Sequence, residues 1–292
     1  MDIKIYKSKD FTDIYDLWNE SLGDLWPIEM VQLENRLSQG ISFVAENNGN
    51  IIGYINCQLV DKKGQITLIM VSKDQQRKGI GTQLLDEAKK YLIKNGTETI
   101  SVGSGVGSYF WPGIPKNLIS ATNFYKKNGL VKSETNLDMV GNLQNYITLA
   151  NVTANITGAT LEIDTLKVDD KKDLIEFEKL NFPNWVKYFE DTQNNNVLIA
   201  RLESKIVGSV ILLESKGFIW SKLLDESGGF GALGVSEEQR GKGIGLALAA
   251  RATEILKERG NKNSFLGWTY LDKWYGKLGY SVWREYEYGS LT

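Results

Sequence analysis

The chain has 292 residues, 42% of them hydrophobic and 24% charged, with a formal net charge of −2. That is length for about two globular domains, and the near-neutral balance excludes a general electrostatic pull on nucleic acid. There is no histidine and a single cysteine, Cys57, so acid–base work falls to Asp, Glu, Tyr, Lys, Cys or water, with no disulfide framework and no thiolate metal cluster.

In chain order, the opening "MDIKIYKSKDF" lacks the apolar core of a signal peptide, and no apolar run approaches the roughly 18 residues that span a bilayer. The expectation is a cytoplasmic protein without membrane partners, in which the sequon Asn151-Val152-Thr153 carries no meaning. After a first helix, strands are predicted at Ser42–Glu46, Ile51–Leu59 and Ile66–Val71. The last ends in "ITLIMVS" and leads into "QQRKGIG" at 75–81. Leu84, Leu85, Ala88 and Leu92 then share one helical face, and Gly96 stops the helix as a left-handed residue. A short apolar stretch with Gly103, the segment "GSYFWPGIPKNLI" and "NFYKKNGL" complete the first half.

The second half repeats this order. Strands at Val197–Leu202, Ile206–Leu213 and Phe230–Val235 lead through "FGALGVS" into "QRGKGIG" at 239–245. A helix with Leu248, Ala249, Ala252, Ile255 and Leu256 on one face follows, then Gly260, Gly267, "KWYGKLGY" and a final strand "SVWREYEYG". The same interval, 164 positions, separates Val71 from Val235, Gly81 from Gly245, Gly96 from Gly260 and Gly103 from Gly267. Upstream, Gly53 and Gly208 are 155 apart, and downstream Tyr125 and Tyr275 are 150 apart. The second copy thus carries nine extra residues within "KGFIWSKLLDESGG", and the first carries 14 within "GSYFWPGIPKNLI". The chain reads as a duplicated domain, 1–141 and 158–292, joined by an Asn- and Thr-rich linker at 142–157. The element order calls for an α/β fold with a mixed sheet and helices on both faces.

A strand that ends in glycine-rich sequence and opens a helix exposes unpaired backbone N–H groups. Glycines let a ligand approach that backbone closely, and the helix dipole with Arg77, Lys78, Arg240 and Lys242 adds positive charge. The natural ligand is a phosphate or pyrophosphate. Neither turn has the Gly-x4-Gly-Lys-Ser/Thr spacing of a Walker loop, nor the context of a dinucleotide-binding fold.

Gln76-Arg77-Lys78-Gly79-Ile80-Gly81 and Arg240-Gly241-Lys242-Gly243-Ile244-Gly245 resemble the acetyl-coenzyme A loop of the GNAT acetyltransferase superfamily. The resemblance covers both copies almost end to end and includes "FYKKNGL" and "WYGKLGY", similar to the family's Tyr-bearing helix after the fifth strand. It implies two tandem GNAT-like domains. Acetyl-CoA would be held by Met70, Val71, Gln76, Arg77, Lys78, Gly79, Ile80, Gly81, Thr82 and Tyr125 in one copy. The set in the other is Leu233, Gly234, Val235, Arg240, Gly241, Lys242, Gly243, Ile244 and Gly245. It further implies splayed fourth and fifth strands, direct attack of an amine on the thioester without metal or covalent intermediate, and Tyr275 as the acid for the leaving thiolate.

Within the superfamily, "YFWPGIP" and "GWTYLDKWYGKLGY" resemble glucosamine and glucosaminide acetyltransferases, which implies a small-molecule amine as partner. The second copy is expected to catalyse, with Asp272, Asp225, Glu226, Trp268 and Tyr270 at the substrate and Trp220 and Trp274 in the same region. The first copy is expected to bind coenzyme or act as scaffold. Its extra aromatics Tyr109, Phe110 and Trp111 then form an interdomain plug, or alternatively a wall of the other copy's cleft. The expected assembly is a monomer or homodimer. An aminoglycoside or peptide acetyltransferase, and a non-catalytic acetyl-CoA-binding module, stay open as alternatives.

Overall fold

The computed structural model describes residues 1–60, 62–103, 109–149, 152, 160–216 and 218–291. Part of the predicted linker, including Asn151 and Thr153 of the sequon, lies outside the described residues. The first half runs β1 (Asp2–Ile5), α1 (Phe11–Ser21), α2 (Met30–Leu37), β2 (Ile41–Asn47), β3 (Asn50–Val60), β4 (Lys63–Val71) and α3 (Ile80–Lys94). It continues with β5 (Thr99–Val102), β6 (Ile114–Pro115), α4 (Ile119–Lys127) and β7 (Leu130–Asn142). The second half runs β8 (Leu161–Thr165), α5 (Lys171–Asn181), α6 (Val186–Asp191), β9 (Val197–Leu202), β10 (Lys205–Leu213) and β11 (Ser227–Val235). It ends with α7 (Ile244–Glu258), β12 (Asn263–Thr269), α8 (Asp272–Gly276) and β13 (Ser281–Leu291). The predicted strands and helices are all present. Each half also opens with a short strand, β1 or β8, ahead of its first helix, and these were not predicted.

Two compact units result. The first comprises Met1–Leu137, Ile219–Leu223 and Arg284–Thr292; the second comprises Asp138–Phe218 and Leu224–Trp283. These differ from the sequence copies 1–141 and 158–292 in an instructive way. The last strand of the second copy completes the first unit, where β13 pairs antiparallel with β5 through Gly289↔Val102 and Leu291↔Ile100. The end of β7, from Asp138, belongs to the second unit.

In the first unit β1, β2, β3 and β4 form an antiparallel meander, β5 adds parallel to β4, and β13 follows. In the second, β8, β9, β10 and β11 repeat the meander and β12 adds parallel to β11. Leu84, Leu85, Ala88 and Leu92 of α3 are buried against Phe43, Ile55, Ile66 and Val102, each large side chain contributing about 1.5–3 kcal/mol by leaving water. A Cβ on Gly53 would come within 2.9 Å of Leu84, and one on Gly208 within 2.9 Å of Leu248. Glycine there lets α3 and α7 lie close on their sheets. Gly96 and Gly260 end these helices at φ 86° and 84°, the left-handed conformation the sequence called for.

Candidate functional site

Both units build the same turn between meander and helix. After a 3-10 turn (Lys73–Gln75 or Glu237–Gln239), Gln76 or Arg240 is extended. Arg77 (φ 64°) or Gly241 (φ 80°) is left-handed, and Gly79 or Gly243, both at φ 84°, caps the helix. Gln76 Nε2 donates to the Val71 carbonyl at 3.0 Å, and Arg240 Nε to the Val235 carbonyl at 3.1 Å. Lys78 and Lys242 donate to Gln75 (3.1 Å) and Gln239 (2.7 Å). The first helical bonds run from Gln83 N to Gly79 O and from Ala247 N to Gly243 O, so the amides of residues 80–82 and 244–246 have no acceptor within their helices. Those amides, the helix dipole and the basic side chains make each turn an anion cradle. Arg77 keeps a cation there at a backbone cost of roughly 1–2 kcal/mol, where the second copy has glycine.

Beside each turn the sheet opens. The β4–β5 pairing runs from Lys63↔Thr99 to Ile66↔Val102, and the β11–β12 pairing from Ser227↔Asn263 to Gly229↔Phe265. The later residues of β4 and β11, including Met70, Val71, Leu233, Gly234 and Val235, lie beyond this ladder, as the resemblance implied. In the first unit the opening forms a cleft of about 430 Å³. Met70, Val71, Gln76, Arg77, Gly79, Ile80, Gly81, Thr82 and Tyr125 line it, with Lys78 exposed outside it. A Cβ on Gly81 would meet the Phe124 ring at 3.1 Å, so glycine here lets α3 and α4 lie close beside the turn.

Trp111 also lines this cleft, with Ser21 and Leu22. Trp111 stacks on Trp18 (5.9 Å, 7°) and Trp220 (5.9 Å, 18°), while Trp26 packs on Trp220 at 4.6 Å under Arg284. This corrects one expectation. Trp220 belongs to the first unit rather than to the second copy's own unit. The segment around Trp111 forms a wall of its own unit's cleft, where Trp111 stacks on Trp220, a residue of the second sequence copy. No Asp or Glu is among the described residues that line this cleft.

In the second unit Tyr275 lies half-buried on α8 and its hydroxyl pKa is pushed up to about 12 by burial. Tyr125, buried in the first unit, is raised further for the same reason. Both phenols therefore stay protonated near neutral pH and can donate. Trp274 takes the place of Phe124 beside the loop, its Cζ2 3.4 Å from a Cβ built on Gly245. Asp272 is exposed in the first turn of α8, and Tyr270 is 74% exposed. Trp268 has φ 54° and its backbone N–H donates at 3.0 Å to Asp138, a fully buried carboxylate that sequence reasoning missed. Cys57 is buried and pushed up to about 12 by desolvation, so it offers no thiolate.

Asp225 and Glu226 are placed elsewhere. They precede β11, nine residues and roughly 30 Å of strand from the loop, and both pair with Lys262, at 3.1 and 3.0 Å. They form a surface turn, so the expectation that they meet substrate is withdrawn. Another carboxyl, Glu178 of α5, lies fully buried in the second unit. Ser209 Oγ donates to its Oε1 at 2.5 Å, while Oε2 has no hydrogen-bond partner. Burial pushes this carboxyl up to about 7.

A family model described as the acetyltransferase (GNAT) family matches residues 11–109 and again 164–280. A structure of a glucosamine N-acetyltransferase region in a fungal multi-domain GH3 β-N-acetylglucosaminidase is similar, with TM-score 0.92 and 29% identity. That match covers 99% of this chain and 38% of the other, so this chain spans well under half of that protein. A GCN5-related N-acetyltransferase from Sphaerobacter thermophilus matches with TM-score 0.75 and 15% identity, over 99% of this chain and 94% of that one. A tandem GNAT protein from the clavulanic acid biosynthesis pathway matches with TM-score 0.67 and 14% identity, over 99% and 98%. The last two show a shared fold. Comparison with curated proteins gives no match.

Proposed function

The chain belongs to the acetyltransferase (GNAT) family and is an N-acetyltransferase built of two such units, and from that premise we propose that it acetylates the primary amine of an amino sugar, glucosamine or a short glucosaminide. The observation that carries this reading is the match at TM-score 0.92 and 29% identity, over 99% of the chain, to a region described as a glucosamine N-acetyltransferase. Acetyl-CoA fits the residues present: the cradle amides take its pyrophosphate, and the free edge of β4 or β11 takes its pantetheine arm. The thioester supplies the activated acetyl group.

In this reading the second unit catalyses and the first holds coenzyme. The first unit's cleft is lined by no carboxylate among the described residues, whereas the second unit places Asp272 and Tyr275 on one short helix beside its loop. Overall, an ammonium and a thioester give an amide, a thiol and one released proton. The amine loses a proton and attacks the thioester carbonyl. Tyr275 donates to the leaving thiolate, and Asp272 holds the ammonium or a ring hydroxyl. Deprotonating a lysine side chain at pH 7 costs about 4.6 kcal/mol, but an amine with pKa about 7.7–8.0 costs only about 1–1.4 kcal/mol. A site without histidine handles the second more easily.

Competition between glucosamine or its short oligomers, lysine peptides and polyamines, read as kcat/KM, tests the reading. Glucosamine is expected to win. A lysine peptide preferred with glucosamine inert would refute it, and coenzyme binding without product across the panel would make the chain a binding module instead.

A further inference from the structure

We infer that Glu178 is the proton acceptor for the incoming amine in the second unit, acting with Ser209 as its partner. This rests on the proposed function and names a group that the sequence did not single out.

The two copies locate it. The 3-10 turn and helix Ser8–Asp10 and Phe11–Ser21 recur as Val168–Asp170 and Lys171–Asn181, a constant interval of 160. Glu178 therefore stands where the first unit has Trp18, and Ser209 where it has Tyr54. In the first unit Trp18 backs Trp111, a wall of the cleft, and the end of the same helix, Ser21 with Leu22, lines that cleft. In the second unit the partner of Glu178, Ser209, pairs across the sheet with Gly234, in the part of β11 that lies beyond its ladder with β12, so the carboxyl lies beside the opened stretch of its own unit. Where one copy puts an indole, the other puts a carboxyl.

A carboxyl is costly here unless it has a use. Leu174, Phe177 and Phe189 form the apolar cluster of this region, joined by Phe182, Trp185 and Ala232. Phe182 and Trp185 stack at 4.8 Å, and a Cβ on Gly234 of β11 would collide with the Phe182 ring. Oε2 has no partner, although buried polar atoms almost always have one. Charged groups do not compensate for it. The charged neighbours Glu176 and Lys179 on α5 are exposed and paired with each other at 3.2 Å. On α6, Lys187, Tyr188, Glu190 and Asp191 contribute nothing to its titration; β10 presents the Ser209 hydroxyl, and β11 presents Ala232 and Gly234. A carboxyl held near pH 7 by burial alone is matched to take a proton from an amine of similar pKa.

The step balances simply. The carboxylate of Glu178, directly or through one water, takes a proton from the ammonium and becomes a neutral carboxyl. The freed lone pair forms the N–C bond as the C–S bond breaks; Tyr275 protonates the leaving thiolate and is reprotonated by the second N–H proton, and Glu178 returns its proton to solvent after product leaves, the one proton released overall.

The test is the pH dependence of kcat/KM for glucosamine in the wild type, Glu178→Gln and Ser209→Ala. Glu178→Gln keeps size and an acceptor for Ser209, and is expected to lower kcat/KM by about 10²–10⁴-fold and to remove the Glu178 ionisation from the acid limb. The amine, which arrives protonated in this step, sets the alkaline limb of the wild type. Ser209→Ala removes the hydrogen bond that lowers the carboxyl's pKa, so the enzyme's limb is expected to move to higher pH. A purely structural carboxyl would leave both profiles unchanged, and activity of Glu178→Gln within threefold of wild type with its acid limb intact overturns the inference. If that variant does not fold, the Ser209→Ala limb decides alone: a shift supports the inference and an unmoved limb overturns it. A wild-type enzyme that acetylates no amine overturns the proposed function instead.

Discussion

Glu178→Gln also makes a stability prediction independent of catalysis. The carboxyl titrates near 4.5 when solvated and near 7 in the fold, because burial disfavours its charged form. The folded state therefore binds more protons than the unfolded state between those values, so stability falls as pH rises across that window. The full penalty is present above pH 7 and amounts to about 3 kcal/mol, at about 1.4 kcal/mol per unit. The amide that replaces the carboxyl in this variant has no proton to lose and still accepts from Ser209. Urea unfolding at pH 5, 6, 7 and 8, followed by Trp fluorescence, should show the variant's advantage over wild type growing by about 2.5 kcal/mol from pH 5 to pH 8. Parallel stability–pH curves for the two proteins would refute the burial argument, and with it the reason given for this carboxyl's raised pKa.

Tyr275→Phe should lower kcat by about 10²–10⁴-fold if its hydroxyl protonates the thiolate, while Tyr125→Phe should do little. Steady-state kinetics checks this, and a normal kcat with raised KM would reduce the hydroxyl to binding. Gly243→Glu should abolish turnover by repelling the pyrophosphate, whereas Gly79→Glu should spare turnover and abolish only coenzyme binding by the first unit. Calorimetric stoichiometry set beside activity separates the two, and loss of turnover from Gly79→Glu alone would reverse the assignment of units. Asp272→Asn should mainly raise the KM for the amine, with the coenzyme KM unchanged. A fall confined to kcat would place that carboxylate in the chemistry rather than in binding.

The sequence by itself determined the duplication, the loop geometry and most of the elements, because these depend on neighbours in the chain. Glycine at 96 and 260 predicts left-handed backbone where the helices stop, and both adopt it. Leu84, Leu85, Ala88 and Leu92 predict a buried helix face, and that face is buried. The strands β1 and β8 escaped because they are four and five residues long and largely exposed, too short for alternation to register. Other features follow from packing partners that no local pattern encodes. Alternation in "SVWREYEYG" shows that it is a strand and which residues share a face, but not that residues 289–291 pair with β5. The sheet edge that accepts a strand is chosen by tertiary contact, and the same choice carries Asp138 into the second unit and Trp220 into the first. Asp225 and Glu226 looked suited to substrate by residue type, yet the strand direction of β11 sends them to the end away from the loop. Glu178 left a faint trace, four residues after Leu174 on the buried face of α5. Its helix also carries Leu180, 84% exposed, so the apolar stripe alone could not show which side faces the core, and only the packing against β10 did.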